Sequence, residues 1–387
     1  MRLANEGLDS DSVLTELSER IQGDLHFERG QILGSMCTIP DSVARDAYFA
    51  AFEKNVGDPG LFPETVALER ETISIIAGLL GGGEEAAGAV LTGGTEANLQ
   101  AMWSAKRRAR PEQREVILPD SAHFSFDKAA DIMDLKLIKI PVDGRYQMDV
   151  ARAEAAINER TMAIVGVAGT TGLGLVDPIE QLSHIAVARG IYLHIDAAFG
   201  GFVLPFLADA GYPTRAFDFS LPGVSSITID PHKMGRAAIP AGCLIYRNEE
   251  LARYSETHVS YMAGGETNQR TITGTRSGAS VAAVWAVLKH FGRSGYVRLV
   301  RQAMELTYWL RGRLEQIPGV TLVCEPLTNV LGVKVERRDL FKIATELRAH
   351  HFAVSFFEGY LRIVVMPHLT GELLAPFLRE LEQMVGH

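Results

Sequence analysis

Two short apolar runs, each stopping on a charged residue, constrain this chain more than any other feature. In Ser225-Ser226-Ile227-Thr228-Ile229-Asp230-Pro231-His232-Lys233, two isoleucines flank a β-branched threonine, the composition of a buried strand. Asp230-Pro231 ends it, because proline has no N–H to give a ladder. Ile191 to Ile195 reads as a second strand and runs into Asp196-Ala197-Ala198-Phe199-Gly200-Gly201. Ligands of open α/β sheets bind at the carboxyl ends of strands, so an acid and an amine are expected to end neighbouring strands and face one site.

The rest of the chain supplies the sheet. Glu115 to Leu118, Leu135 to Ile140, Met162 to Val167 and Gly242 to Tyr246 read as strands, and the segments between several of them carry helical patterns. Asp177-Pro178-Ile179-Glu180 has the order of an N-cap, a proline at the first helical position and a glutamate at the third, opening a helix to about Arg189. Strand, helix and strand in this order imply a parallel sheet. Val90-Leu91-Thr92-Gly93-Gly94-Thr95 leads into a helix reaching about Arg110. Two glycines there let backbone N–H groups approach an anion, the helix dipole favours negative charge, and Thr95 adds a hydroxyl donor.

A lysine, an acid and a phosphate cradle are together the requirements of pyridoxal phosphate. The lysine amine condenses with the cofactor's aldehyde, and the carboxylate keeps a proton on the ring nitrogen so that the ring can accept electrons. Free lysine is almost wholly protonated at pH 7, so burial or a cationic neighbour is expected to assist it. Taken singly, Lys233 reads as a surface cation, Asp196 as a helix cap and Gly93-Gly94-Thr95 as a plain turn. Their combination is what points to a cofactor.

His194-Ile195-Asp196-Ala197-Ala198 with Asp230-Pro231-His232-Lys233 resembles the fold-type I pyridoxal-phosphate decarboxylases of the aromatic amino acid and glutamate decarboxylase group, also called group II. Within it the chain is most similar to the archaeal L-tyrosine/L-aspartate decarboxylases. Gly34-Ser35-Met36-Cys37-Thr38, Gly57-Asp58-Pro59-Gly60-Leu61-Phe62-Pro63, Gly274-Thr275-Arg276-Ser277-Gly278 and Arg362-Ile363-Val364-Val365-Met366-Pro367-His368 carry that likeness. The resemblance implies an α/β fold, with a mostly parallel seven-stranded sheet in a large domain and a small α+β C-terminal domain. It implies a catalytic set of Lys233, Asp196 and His123, with His123 stacked on the cofactor ring. Gly93, Gly94, Thr95, Ala198, Asp230 and His232 complete the cofactor's surroundings. A threonine bonds the ring hydroxyl, either Thr170 or Thr171. Arg362 is the candidate for the substrate's α-carboxylate, since guanidinium suits a carboxylate bidentately. The loop holding Phe62 is expected beside the substrate. The family's site-closing loop falls between Tyr254 and Arg276, where Tyr261 is the tyrosine available, although Tyr261 reads better as a structural residue. No metal is expected.

Three regions follow: an N-terminal segment of residues 1–50, a large cofactor-binding domain of residues 51–290 and a small domain of residues 291–387. In the first, Leu8, Val13, Leu14, Leu17 and Ile21 have helical spacing suited to docking. The resemblance implies a homodimer contact, while the residues alone fit packing on the chain's own surface equally well. In the last, Leu374, Phe377, Leu378, Leu381 and Met384 form the buried stripe of a final helix.

Composition removes several other classes. The net charge of −9 argues against a nucleic-acid partner. The basic run Lys106-Arg107-Arg108 falls where a helix C-terminus is expected and suits its dipole. Cys37, Cys243 and Cys324 lie far apart, which fits a reducing cytoplasm. Glu6, Asp9, Asp11 and Glu16 replace the basic and apolar regions of a signal peptide, and no apolar run approaches the roughly 18 residues of a membrane span.

The expected activity is decarboxylation of an L-amino acid. The resemblance implies aspartate to β-alanine for coenzyme A and/or tyrosine to tyramine for methanofuran, with glutamate as an alternative substrate. An aldehyde-releasing carbon–carbon lyase of the sphingosine-phosphate lyase type shares the cofactor motifs, and a cofactor-binding protein without turnover is a third reading. Cofactor motifs cannot separate these, because substrate orientation decides which bond breaks.

Overall fold

The structure, a computed structural model, describes residues 2–386. Its central sheet contains seven strands: β1 (Ala87–Leu91), β2 (Glu115–Pro119), β3 (Lys136–Ile140), β4 (Thr161–Val167), β5 (Tyr192–Asp196), β6 (Val224–Ile229) and β7 (Gly242–Tyr246). They lie in the order β1-β7-β6-β5-β4-β2-β3. All run the same way except β7, which is antiparallel to both β1 and β6. β2, β4, β5 and β7 are buried along their whole length, as strands covered on both faces must be.

Side chains alternate across a strand, so each face of the sheet has its own core. On one face, helices Gly94–Arg108 and Ser125–Met133 bury Ala97, Ala101 and Phe126 against Leu118, Met162, Val165 and Leu244. On the other, helices Pro63–Leu79, Ile179–Arg189 and the start of Gly278–Leu314 cover Ile164, Leu193, Ile195, Ile227 and Ile245. The carboxyl ends of β1, β2, β4, β5 and β6 therefore open at one edge, with the start of β7 beside them.

The long helix Gly278–Leu314 is interrupted at Gly292, whose φ of 52° favours glycine. Before it, the stretch between Tyr254 and Arg276 contains a hairpin of two three-residue strands, β8 (Thr257–Val259) and β9 (Thr267–Gln269). Beyond it, β10 (Val320–Leu322), β11 (Val330–Val335), β12 (Ser355–Phe357) and β13 (Tyr360–Val364) make an antiparallel sheet in the order β10-β11-β13-β12. Helices Leu340–Ala349 and Gly371–Gly386 bury Ile343, Leu347, Leu374, Phe377, Leu378 and Leu381 in a second core. Leu33 joins that core and hydrogen-bonds Ala353 and Val364, so the N-terminal segment is fastened to this sheet before it reaches Met36.

Helix Ser10–Ile21 has no buried residue. Val13, Leu14, Leu17 and Ile21 form an apolar face exposed to solvent, so packing on the chain's own surface does not occur.

Asp177 departs from its expected role. The helix begins at Ile179 with Pro178 in the cap position, and the Asp177 carboxylate turns away. It accepts the backbone N–H of Met148 through Oδ1 and of Val167 through Oδ2, both at 2.8 Å. Two buried N–H groups without other partners outcompete a helix end that water can satisfy. Replacing Asp177 by alanine orphans both donors and is expected to cost on the order of 3 kcal/mol. Urea denaturation measures it, and an unchanged midpoint would contradict this role.

Candidate active site

The strand ends enclose a cavity of about 290 Å³. Gly93, Gly94, Thr95, His123, Thr171, Asp196, Ala198, Asp230, His232 and Lys233 all line it. These are ten of the thirteen residues expected from sequence; the other three are Thr170, Arg362 and Phe62. Met36, Asn98, Val167 and Phe199 add walls that sequence reasoning had not assigned.

Asp196 is the last residue of β5, and β5 pairs with β6 in parallel register with Asp196 opposite Thr228. Asp230 and Lys233 follow β6 within one turn, which carries the acid and the amine to adjoining positions. Asp196 is 5% exposed. Its Oδ1 accepts the Ala198 N–H at 3.1 Å and its Oδ2 accepts Asn98 Nδ2–H at 2.9 Å. Both carboxylate oxygens are thus fixed as acceptors.

Lys233 Nζ lies 3.0 Å from Asp230 Oδ2. Burial alone would lower the amine's pKa, but the carboxylates of Asp230 and Asp196 outweigh burial and raise it. The expected help from a cationic neighbour is therefore absent: among the described residues Lys233 is flanked by anions, and it must shed its proton as the aldehyde arrives. Asp230 Oδ1 is buried with no hydrogen-bond partner.

The helix Gly94–Arg108 starts at the cavity with Gly93 as its cap residue and no side-chain cap. Its first N–H groups have no intrahelical partner and are free for an anion. A Cβ at position 94 would stand 2.9 Å from Asp230 Oδ2 and 3.1 Å from the Ala198 Cβ, so a larger residue there would push on the carboxylate paired with Lys233. The Glu96 carboxylate, which would repel an anion, turns back to Thr92 and Thr273.

His123 projects from the loop after β2, and its Nδ1 accepts the Ser125 N–H at 3.2 Å. The proton of the neutral ring therefore sits on Nε2. Burial lowers the ring's pKa, favouring the neutral, stackable form. Of the two threonines, Thr171 lines the cavity, while Thr170 is buried with its Oγ1 accepting the Leu175 N–H.

Arg362 lies just behind this wall. It is 8% exposed, donates to the Thr171 carbonyl at 2.7 Å, to the Ser355 hydroxyl at 2.9 Å and to the Gly34 carbonyl, and stacks on Phe357. Its Nε has no partner, and among the described residues no carboxylate pairs with it. Burial pushes its pKa down to about 10. Phe62 stands away from the cavity, beneath the Lys54 ammonium at the start of helix Pro63–Leu79. Tyr261 is 86% exposed, between β8 and β9, and does not line the cavity.

An open helix start for an anionic tail, an amine for an aldehyde and a buried carboxyl group for a basic ring nitrogen are the needs of one cofactor, and the residues present fit it. Fold and cavity together define a fold-type I pyridoxal-phosphate enzyme. Residues 39–331 match the family model described as the pyridoxal-dependent decarboxylase conserved domain. The chain is 45% identical over 386 residues to L-aspartate/L-glutamate decarboxylase of Pyrococcus horikoshii, covering 100% of each. It is 46% identical over 358 residues to a Methanothermobacter thermautotrophicus protein named "Probable L-tyrosine/L-aspartate decarboxylase", covering 92% of this chain and 98% of that protein. Among solved structures, a sphingosine-1-phosphate lyase of Burkholderia pseudomallei superposes with a TM-score of 0.92 at 29% identity, over 100% of this chain and 93% of that one. The chain belongs to the pyridoxal-dependent decarboxylase family and, like the relatives named as decarboxylases, is a carboxy-lyase.

Two outcomes test the site. In Lys233→Ala, borohydride treatment should leave the cofactor extractable, where the parent retains it covalently; covalent retention in the variant would contradict the assignment. Asp196→Asn should keep that capture while turnover falls by roughly 10²- to 10³-fold, the loss expected when preorganised charge is removed.

Beneath the floor, His194 is fully buried and its pKa is lowered by burial to about 3. Ser226, Thr228, Asn98 and the Phe126 ring surround it, and the nearest ionisable groups, Tyr192 and Asp196, are reached only through Ser226 and Asn98. Unfolded histidine binds a proton near pH 6.5 and folded His194 does not, so stability falls as pH drops from 6.5, by up to about 1.4 kcal/mol per unit. Urea denaturation of His194→Gln should show about 2 kcal/mol less loss between pH 6.5 and 5 than the parent. An equal loss would contradict the burial of a neutral ring.

Proposed function

We propose that this chain decarboxylates L-aspartate to β-alanine, with L-tyrosine as a second substrate. The observation that carries the reading is Arg362, a buried guanidinium without a counter-charge, reached through Thr171 at the cavity wall. A buried cation in that state calls for an anionic ligand, and an amino acid's α-carboxylate supplies one. The cavity volume supports a short side chain. At about 290 Å³ it lies at the low end of small-molecule sites, and it must take the cofactor as well. The names of the 45–46% identical relatives agree with aspartate and admit tyrosine and glutamate.

Bound pyridoxal phosphate supplies an electron sink for the pair left on Cα as carbon dioxide departs. Asp196 would hold the proton on the ring nitrogen, and Gly93, Gly94 and Thr95 would take the phosphate. His123 would cover one ring face, and Thr171 would meet the ring hydroxyl. Arg362 would turn the α-carboxylate so that the bond to Cα breaks. Return of a proton to Cα completes the amine.

β-Alanine production would serve coenzyme A synthesis in the cytoplasm. Three free thiols and the lack of any helix long and apolar enough to cross a membrane, among the described residues, are consistent with that place. A homodimer is part of the proposal. The bare apolar face of helix Ser10–Ile21 and the exposed Phe49 and Phe52 are surfaces that a second copy would cover.

A panel of L-amino acids with the cofactor-loaded enzyme, scored for carbon dioxide, amine and aldehyde, tests this. Aspartate should give β-alanine and carbon dioxide in equal amounts. Aldehyde without carbon dioxide would instead support the lyase reading, and cofactor binding without turnover of any amino acid the non-catalytic one. Arg362→Met should lower kcat/KM for aspartate by roughly 10- to 150-fold, the range for losing one hydrogen bond between charged groups.

A further inference from the structure

Behind Asp196 lies a row of side chains that the reaction described above does not use. On β5, Tyr192, His194 and Asp196 share one face because they are two residues apart, and on β6 Ser226 and Thr228 share the same face in register, with Ser226 opposite His194. Helix Gly94–Arg108 lays Asn98 over them. Tyr192, His194, Ser226 and Asn98 are each no more than 1% exposed.

The protons in this row can be placed by elimination. With Asp196 read as the ionised partner of the ring nitrogen, its carboxylate only accepts, so Asn98 turns its nitrogen toward Asp196 Oδ2, 2.9 Å away. The second hydrogen of that nitrogen goes to Ser125 Oγ at 3.0 Å. Asn98 Oδ1 then faces His194 Nε2 at 3.0 Å and can only accept, so Nε2 carries the imidazole proton. Thr228 Oγ1, 3.3 Å from Nε2, shares that proton as a weaker acceptor. Nδ1 is therefore bare and accepts from the Ser226 hydroxyl at 2.8 Å. Ser226 Oγ in turn accepts from the Tyr192 hydroxyl at 2.8 Å. The donors from Tyr192 through Ser226, His194 and Asn98 thus run in one direction toward Asp196, with the second Asn98 hydrogen branching to Ser125.

We propose that Asn98 and His194 are positioning residues for the decarboxylation: a single imidazole tautomer locks the Asn98 amide, and the amide holds Asp196 ionised and aimed into the cavity. The proposal rests on the reading of Asp196 as the partner of the cofactor's ring nitrogen. Its physical content is that a carboxylate facing a ring must not rotate or take up a proton. A hydrogen bond from a side chain that is itself fixed at both ends prevents both. Burial keeps the ring neutral through the working pH range, so the lock does not open on mild acidification.

The tautomer is read on the protein without cofactor, using ¹⁵N-histidine labelling, with His194 assigned by the signal missing from His194→Gln. One imidazole should show a protonated Nε2 and a bare Nδ1 unchanged from pH 5 to 9. A protonated Nδ1, or titration near pH 6.5, overturns the lock. The consequence for the cofactor is read by equilibrium binding of pyridoxal phosphate and by the pH dependence of its bound absorbance. Asn98→Leu and His194→Leu should each weaken binding by about tenfold, the lower end for a hydrogen bond to a charged group, and should make the absorbance titrate. Glutamine at 194 presents an N–H and a carbonyl in place of the two ring nitrogens, so His194→Gln should restore most of the affinity lost in His194→Leu. A folded His194→Leu with parental affinity and spectrum overturns the proposal. If Asp196→Asn itself leaves cofactor binding and spectrum unchanged, the reading of the ring-nitrogen partner fails, and its coupling to the row fails with it; the tautomer measurement still judges the lock separately.

Discussion

The parallel register of β5 against β6 is the constraint on which the site depends. With His194 opposite Ser226 and Asp196 opposite Thr228, the two strands end together, and the residues that follow must share one space. Period-two alternation then sorts chemistry by face. Leu193, Ile195, Ile227 and Ile229 enter one core, while Tyr192, His194 and Asp196 line up beside Ser226, Thr228 and Asp230 on the other side. A slip of one residue would exchange the two sets, burying three polar groups among leucines and emptying the cavity of its acid.

Charge explains why the polar set is tolerated. Asp196 and Asp230 are both nearly inaccessible, and the stretch after β6 places Lys233 among them. The open start of helix Gly94–Arg108 adds positive potential at the same edge. The arrangement leaves one buried carboxylate oxygen on Asp230 and one buried guanidinium nitrogen on Arg362 unpaired. Buried polar groups without partners are costly; here Asp230 lines the cavity, and Arg362 lies just behind its wall.

Much of this was legible in the sequence because local rules and global packing agree. The strand composition around Ile227, the Gly-Gly-Thr turn, the helix after it and the apolar stripe Leu374, Phe377, Leu378 and Leu381 each follow from residues a few positions apart. What depended on distant partners was not. The reversal of β7 between β1 and β6 is decided by how the chain returns across the sheet, and the three-residue strands β8 and β9 are too short to show a period. Asp177 fits a helix cap in sequence, yet two orphan N–H groups from elsewhere claim its carboxylate. Thr170 and Thr171 are equivalent as letters and differ only in which way the loop turns them. The row behind Asp196 did leave a signal, polar residues at alternate positions of two strands that are otherwise apolar, although Asn98 could be added only once the helix was seen to cross them.

A crystal structure of the cofactor-loaded protein tests the central claim most directly. The account requires one pyridoxal phosphate whose ring nitrogen is within hydrogen-bond distance of an Asp196 carboxylate oxygen, whose phosphate sits on the N–H groups at Gly94 and Thr95, and whose aldehyde carbon is joined to Lys233. A ring nitrogen facing any other residue, or a phosphate held away from that helix start, would contradict it.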